Sequence, residues 1–289
     1  MKLFSPAKIN LFLAVTGRRP DGYHELVSLM CCLDFGDDLV LTVRKDTKIS
    51  VLCDYCGVPS DHRNLAWRAA RSFFDATGIA AGADIVIEKR IPPGAGLGGG
   101  SGNAATVLAG LNRHFGRPLN PDDLNRLGAG IGADVPFFLT GGVALASGIG
   151  ERLMPFRGLG PMPVVVAYPG VSVSTAGTFA RLNLALTKCE KKLKAFLLKN
   201  KNFDANRHLC NDLESVTLKR YPAVAEARHA LTEAGAKGAL MTGSGSSVFG
   251  LFDDSAAAQQ AAEQLSRRHP GWKLVATRLK TSVPVHEGK

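Results

Sequence analysis

Between Pro92 and Ala105 the chain reads Pro-Pro-Gly-Ala-Gly-Leu-Gly-Gly-Gly-Ser-Gly-Asn-Ala-Ala, six glycines set between a β-branched run and an Ala/Leu-rich one. Glycine lacks a Cβ, so its backbone N–H groups can crowd around a ligand and its φ can turn positive. The run from Ala104 to Leu111 is rich in helix formers. The glycines therefore end where a helix starts, and a helix N-terminus carries unpaired N–H donors and partial positive charge. That combination outlines a phosphate cradle. Four further segments resist explanation by packing. Ser5-Pro6-Ala7-Lys8-Ile9-Asn10-Leu11 places Lys8 and Asn10 two apart, on one face of an apolar strand. Asp21-Gly22-Tyr23-His24-Glu25 is a turn presenting an aromatic ring and an imidazole. Gly132-Ala133-Asp134-Val135-Pro136 holds a single carboxylate in an apolar context. Thr242-Gly243-Ser244-Gly245-Ser246-Ser247 is a second glycine/serine loop.

Better-known motifs fit poorly. A Walker loop ends in Lys-Ser/Thr, whereas Gly100-Ser101-Gly102 has no lysine. Gly94, Gly96 and Gly99 satisfy G-x-G-x-x-G, but the acid that should follow on a second strand is missing from Asn112 to Pro118. Asp34-Phe35-Gly36 imitates a protein-kinase motif in the wrong order, ahead of the glycine loop; it reads as a turn. Cys53-x-x-Cys56 lacks the second half of a zinc site and reads as a loop or hairpin tip.

The elements that must position these residues follow from periodicity and punctuation. Residues 7–15, Leu26–Leu33 and Leu39–Val43 read as strands, the last two separated by a turn at Phe35-Gly36-Asp37. Ile49–Cys53 reads as another strand, and Asn64–Phe74 as a helix. Ala83–Ile87 leads as a strand into the glycine loop and a helix over 101–115. Asn120 caps a helix opened by Pro121. Gly132–Ser147 holds a tight segment and then a strand, and Pro163–Tyr168 is a buried strand. Helices are expected near 174–185, 187–200, 210–218 and 221–233. Strands at Gly238–Thr242 and Ser247–Phe252 flank the second loop, and the helix Asp254–Arg267 precedes a closing strand, Lys273–Arg278. Helices and antiparallel-style strand pairs without regular βαβ alternation argue for an α+β fold. Pro and Gly cluster over 152–163, and the expected boundary divides 1–156 from 157–289.

The chain of 289 residues is 45% hydrophobic and 21% charged, which suits a globular protein with a sizeable core. No apolar stretch is long enough for a membrane span, and no secretory leader is seen, so a cytoplasmic location is expected. The six cysteines form no small-protein framework and are expected as reduced thiols. A net charge of +10 suits an anionic partner without choosing one. The lysines at 188, 191, 192, 194, 199 and 201 read as a solvated face.

Taken in order, PAKINLFL, RRPDGYHEL, PPGAGLGGGSGNAA, GADVPFF and MTGSGSSVFGLF resemble the GHMP kinase superfamily, over nearly the whole chain. The DGYH segment is similar to the branch acting on a cytidine diphosphate conjugate of methylerythritol, in the non-mevalonate isoprenoid route. The resemblance implies a two-domain fold, ribosomal protein S5 domain 2-like and then ferredoxin-like, with the active site between them. It implies ATP as co-substrate with Mg²⁺, and a small-molecule substrate linked to cytidine diphosphate. Neither a nucleic-acid nor a membrane partner is expected, and oligomeric state is left open.

Phosphoryl transfer is mostly positioning and charge stabilisation. On the resemblance, Pro92, Gly94, Ala95, Gly96, Leu97, Gly98, Gly99, Gly100, Ser101, Gly102 and Asn103 cradle the phosphates, with Asn64 and Lys89 beside the adenine. Asp134 is the candidate base and Lys8 the cation paired with it. Asn10 contacts substrate or aligns Lys8. Tyr23, His24 and Phe179 hold the cytosine, by stacking and by reading its edge, Thr175 also binds substrate, and Gly243, Ser244 and Gly245 border the acceptor and the phosphates. Relatives often carry a second serine where this chain has Gly102, so no protein ligand to the metal is assigned. A homoserine or mevalonate type of GHMP kinase would not need the Tyr23-His24 and Phe179 set. A basic RNA-binding module is the alternative of another class, but aromatics interleaved with the basic run are missing.

Overall fold

A strand that is apolar on both faces must lie in the middle of a fold, and the segment carrying Lys8 and Asn10 does so. The computed structural model describes residues 1–189 and 203–281. In chain order the strands are β1 Lys2–Arg18, β2 His24–Arg44, β3 Ile49–Cys53, β4 Gly82–Glu88, β5 Val143–Gly148, β6 Arg152–Pro155, β7 Pro163–Tyr168, β8 Cys210–Asn211, β9 Gly238–Met241, β10 Val248–Leu251 and β11 Lys273–Lys280. The helices are α1 Leu65–Thr77, α2 Gly99–His114, α3 Pro121–Ile131, α4 Val135–Thr140, α5 Thr175–Ala180, α6 Ala205–His208, α7 Glu214–Arg220, α8 Pro222–Glu233 and α9 Ser255–Arg268. β1 is buried without a break from Ser5 to Val15. The main strand order is β3-β4-β2-β11-β7-β10-β9, with β1 paired to β2 and β8, and β5 to β2 and β6. The expected α+β class holds.

Three apolar clusters fill this frame. Phe73 of α1, Leu108 and Leu111 of α2, and Phe137 of α4 pack on Leu39, Leu41, Ile85 and Ile87 of β2 and β4. Leu231 and Leu265, from α8 and α9, pack on Val165 and Val248. Between them lies a cluster of Ile9, Leu11, Leu33, Val164 and Phe249, and the glycine loop sinks Ala95 and Leu97 into it. Burying a leucine such as Leu97 stabilises by about 1.5–3 kcal/mol, so the loop has its own anchors.

Local chemistry explains the helix starts. Asn64 caps α1, accepting from the Ala66 N–H at 2.9 Å. Asn120 caps α3 with Pro121 in the first turn, as expected. Asp254 caps α9.

Several expectations fail. There is no turn at Phe35-Gly36-Asp37: β2 runs through it. Pro6 pairs with Gly36 but Lys8 with Cys32, so β2 carries a bulge there. A Cβ on Gly36 would lie 2.1 Å from the Ser5 carbonyl oxygen, so this glycine serves close approach and not reversal. The helix near 174–185 stops at Ala180, and a 3₁₀ turn capped by Asn183 follows. The helix near 210–218 starts at Glu214, because Cys210 and Asn211 pair in parallel with Phe12 and Leu13 of β1. The reduced-thiol expectation fails for Cys189 and Cys210, which form a disulfide. Cys31, Cys32, Cys53 and Cys56 are free. Burial holds the Cys31 thiol well above its usual range and pushes Cys32 up to about 12. Lys191, Lys192, Lys194, Lys199 and Lys201, with nearly all of the helix expected over 187–200, lie outside the described residues.

Candidate active site

Asn10 sets the geometry of the site. Its Nδ2 donates to Ser28 Oγ at 2.8 Å, and Ser28 Oγ donates to the Phe12 carbonyl at 2.7 Å. The amide is thereby oriented, and its Oδ1 accepts from Lys8 Nζ at 2.7 Å. Lys8 Nζ also lies 3.6 Å from Asp134 Oδ2. The lysine side chain is 6% exposed, the Asp134 side chain 36%. A buried ammonium needs partners, and Lys8 has an amide oxygen inside the protein and a carboxylate that opens to the cleft. Asp134 occupies the position before α4, yet makes no side-chain capping bond. Its carboxylate is free of the commonest structural duty of an aspartate at that place.

The glycine loop packs on this centre. The Lys8 N–H donates to the Leu97 carbonyl at 3.0 Å. Gly94, Gly96 and Gly98 take φ of +68°, +78° and +71°. A Cβ on Gly98 would meet Phe138 at 2.9 Å and Lys8 Cγ at 3.0 Å. Gly98 caps α2 without a side-chain bond, which leaves first-turn amides to solvent or a ligand.

The second loop closes against the first. The Ser247 N–H donates to the Ala95 carbonyl at 3.0 Å. Thr242 Oγ1 accepts from the Asn10 N–H at 3.0 Å and donates to Asn10 Oδ1 at 3.2 Å. Thr175 Oγ1 and Ser244 Oγ are 2.8 Å apart, joining α5 to this loop.

These elements enclose a cleft of about 680 Å³. Lys8, Asn10, Asn64, Lys89, Pro92, every residue from Gly94 to Ser101, Asn103, Asp134, Thr175, Phe179, Gly243 and Ser244 line it. Three of the expected residues do not. Gly102 faces Ser5 and Pro6, where a Cβ would meet Ser5 Oγ at 2.9 Å, so it serves packing. Tyr23 is 61% exposed. His24 stacks on the cleft residue Phe179, ring centroids 5.2 Å apart and 29° from coplanar. Burial, and then the charge of Arg18, hold the His24 pKa below its usual 6.5.

Asn64 and Lys89 are more committed than the sequence suggests. Asn64 Nδ2 donates to the Pro59 carbonyl at 2.7 Å while its oxygen caps α1. The Lys89 side chain is buried and paired with Asp37. Sequence reading noted Thr242 only as part of the second loop and missed Ser28, Asn211 and Asp37. Ser28, a lone hydroxyl inside Leu-Val-Ser-Leu-Met, was the one with a visible signal. Asn211 Nδ2 donates to the Met241 and Gly243 carbonyls, both at 2.8 Å, and nothing near it in the chain announces that.

Known proteins share both the sequence and the fold. Residues 64–142 match the GHMP kinases N terminal domain, and residues 192–271 match GHMP kinases C terminal. The 4-diphosphocytidyl-2-C-methyl-D-erythritol kinase of Syntrophotalea carbinolica is 46% identical over 272 residues, covering 94% of this chain and 96% of that protein. That of Deinococcus radiodurans is 42% identical over 287 residues, covering 99% and 95%. A crystal structure of 4-(cytidine 5'-diphospho)-2C-methyl-D-erythritol kinase superposes with a TM-score of 0.82 at 37% identity, covering 98% of this chain and 100% of that one. The homoserine kinase of Cytophaga hutchinsonii superposes at 0.77 with 19% identity, covering 98% and 95%, which is likeness of fold alone. Two domains matched in order, and relatives above 40% identity along nearly the whole length, mean that the chain belongs to the GHMP kinases and, among these small-molecule kinases, to the 4-diphosphocytidyl-2-C-methyl-D-erythritol kinase family.

Proposed function

We propose that this kinase transfers the γ-phosphoryl group of ATP to the 2-hydroxyl of 4-diphosphocytidyl-2-C-methyl-D-erythritol, in the non-mevalonate route to isoprenoid precursors. The observation that carries the reading is convergence. Lys8, Asp134 and the uncapped start of α2 come from three distant parts of the chain and line one cleft. Amides of the glycine loop hold the β- and γ-phosphates. Asp134 orients the attacking hydroxyl. Its oxygen bonds to the γ-phosphorus, the bond to the leaving ADP oxygen breaks, and the hydroxyl proton passes to the carboxylate. Lys8, held by Asn10 and facing Asp134, offsets charge on the transferring group. Asn64 and Lys89 flank the adenine, and Thr175, Gly243 and Ser244 border the acceptor. Phe179 stacks on the cytosine, with Tyr23 and His24 completing its pocket. His24 already stacks on Phe179, which joins the two sides of this pocket.

Mg²⁺ fits the donor set as a metal held chiefly by phosphate and water. Ser101 and Asp134, which line the cleft, would help hold it, and bound there it would offset phosphate charge. Among the described residues the one cluster of three potential ligands is Cys189, Cys210 and Asp212, whose sulfurs are consumed by the disulfide. The division at 156/157 into two domains and the cytoplasmic location belong to the same proposal.

ATP consumption measured with the cytidyl conjugate, homoserine and mevalonate in parallel tests the reading. Turnover with the conjugate alone is expected; turnover with either of the others and not the conjugate would overturn it.

A further inference from the structure

Asp37 is fully buried on β2, behind the glycine loop. Its two oxygens divide their work. Oδ1 accepts from the backbone N–H groups of Arg90 and Ile91, both at 2.8 Å. Oδ2 accepts from Asn103 Nδ2 at 2.9 Å and pairs with the Lys89 ammonium. The same Asn103 amide reaches Ser5 Oγ on β1 at 3.1 Å. Arg90 and Ile91 are the last residues before the loop, and Asn103 lies early in α2. One carboxylate therefore grips the chain upstream and downstream of the glycines.

A glycine-rich segment loses much backbone freedom when it is fixed around a ligand. Holding both ends beforehand removes part of that cost from the binding step. A carboxylate suits the task because it accepts at both oxygens and donates at neither. Burying it is unfavourable unless it is paired and fully hydrogen-bonded, and an apolar replacement of a buried ion pair is often as stable. What the charge contributes here is geometry.

We propose that Asp37 is a positioning residue that holds the glycine loop in its phosphate-receiving shape before nucleotide arrives. This rests on the assignment of that loop to ATP in the proposed function. Asp37→Asn preserves size and Oδ1 but turns Oδ2 into a donor facing Lys89 and Asn103. Its KM for ATP is expected to rise about tenfold, while the KM for the cytidyl conjugate stays within about twofold. Equal rises in both, or a fall in kcat with both KM values unchanged, would overturn the proposal. If Asp37→Asn does not fold, hydrogen exchange of the wild type without nucleotide decides. The Arg90 and Ile91 amides are expected to be as protected as those inside β2; exchange at open-loop rates until ATP is added would overturn it. Should the wild type prove inactive on the conjugate, the functional reading fails, and the same exchange measurement still decides the role of Asp37.

Discussion

In the first glycine loop, Gly94, Gly96 and Gly98 alternate with the buried Ala95 and Leu97, and the chain runs on into a 16-residue helix. In the second, Gly243 and Gly245 take φ of +57° and +90°, and the chain returns directly into β10. The first loop leaves backbone donors at an uncapped helix start. The second ties carbonyls and a hydroxyl into the protein. The Ser244 carbonyl accepts from Thr217 Oγ1, the Gly243 carbonyl from Asn211, and Ser246 Oγ donates to the Val171 carbonyl. Two glycine loops in one cleft are thus held differently: one by the buried side chains of Ala95 and Leu97, the other by hydrogen bonds to its carbonyls.

The comparison is most exposed to failure at Lys8, which both loops touch. A Cβ on Gly243 would lie 3.7 Å from Lys8 Nζ, and one on Gly98 would lie 3.0 Å from Lys8 Cγ. If positioning by the loops were all of catalysis, Lys8→Ala and Asp134→Asn would be mild. Each is instead expected to cut kcat by about 10²–10⁴-fold with near-normal ATP affinity. Single-turnover rates together with ATP-binding titration check this, and wild-type kcat in either variant would remove these groups from the chemistry.

Glycine-to-alanine changes compare the loops directly. A Cβ at Gly96 would sit 2.5 Å from the Thr242 carbonyl oxygen and 2.9 Å from that of Gly245. At Gly243 the nearest atom, the Gly96 carbonyl oxygen, is 3.4 Å away. Both positions have positive φ, at a cost of about 1–2 kcal/mol for alanine. Gly96→Ala adds overlap with backbone that has nowhere to go, about 1–3 kcal/mol more. Denaturant midpoints should therefore fall further for Gly96→Ala, and the reverse order would break the distinction.

Asn211→Ala sharpens it from the side of the brace. The change frees two buried carbonyls, of Met241 and Gly243, and should cost about 1–3 kcal/mol. Gly243 lies against both Gly96 of the first loop and the Lys8–Asn10 pair; on the proposed place of the second loop beside the acceptor, the KM for the conjugate should rise more than that for ATP. An ATP-selective effect would assign the second loop to the nucleotide.

What was legible in the chain follows the same division. The first loop, Lys8 with Asn10, and Asp134 stood out because glycines, a strand charge and an isolated carboxylate break local rules within a few residues. Asp37 did not, since Asp34 and Asp38 surround it and only the fold singles out the one that is buried. Nor did Asn211 or the Cys189–Cys210 bridge, whose partners are 30 and 21 residues away. Gly36 was misleading for a physical reason: glycine serves close approach as well as reversal, and nothing local distinguishes the two. The Phe179–His24 contact joins segments that no periodicity links.

That contact carries the smallest expected effect, on pH dependence. Burial and Arg18 lower the His24 pKa from 6.5, so the folded protein binds this proton less readily than the unfolded chain does. Its contribution to stability is complete above pH 6.5 and is lost as pH falls through 6.5 toward the lowered value. If the neutral ring serves the cytosine pocket, the KM for the conjugate should be flat above 6.5 and rise below it, with the KM for ATP unaffected. His24→Ala should weaken the conjugate selectively and abolish the inflection. An inflection above 6.5, or one shared by ATP, would mean that the imidazole does not act as a neutral partner of Phe179, and the rim would then have to be read from Tyr23 alone.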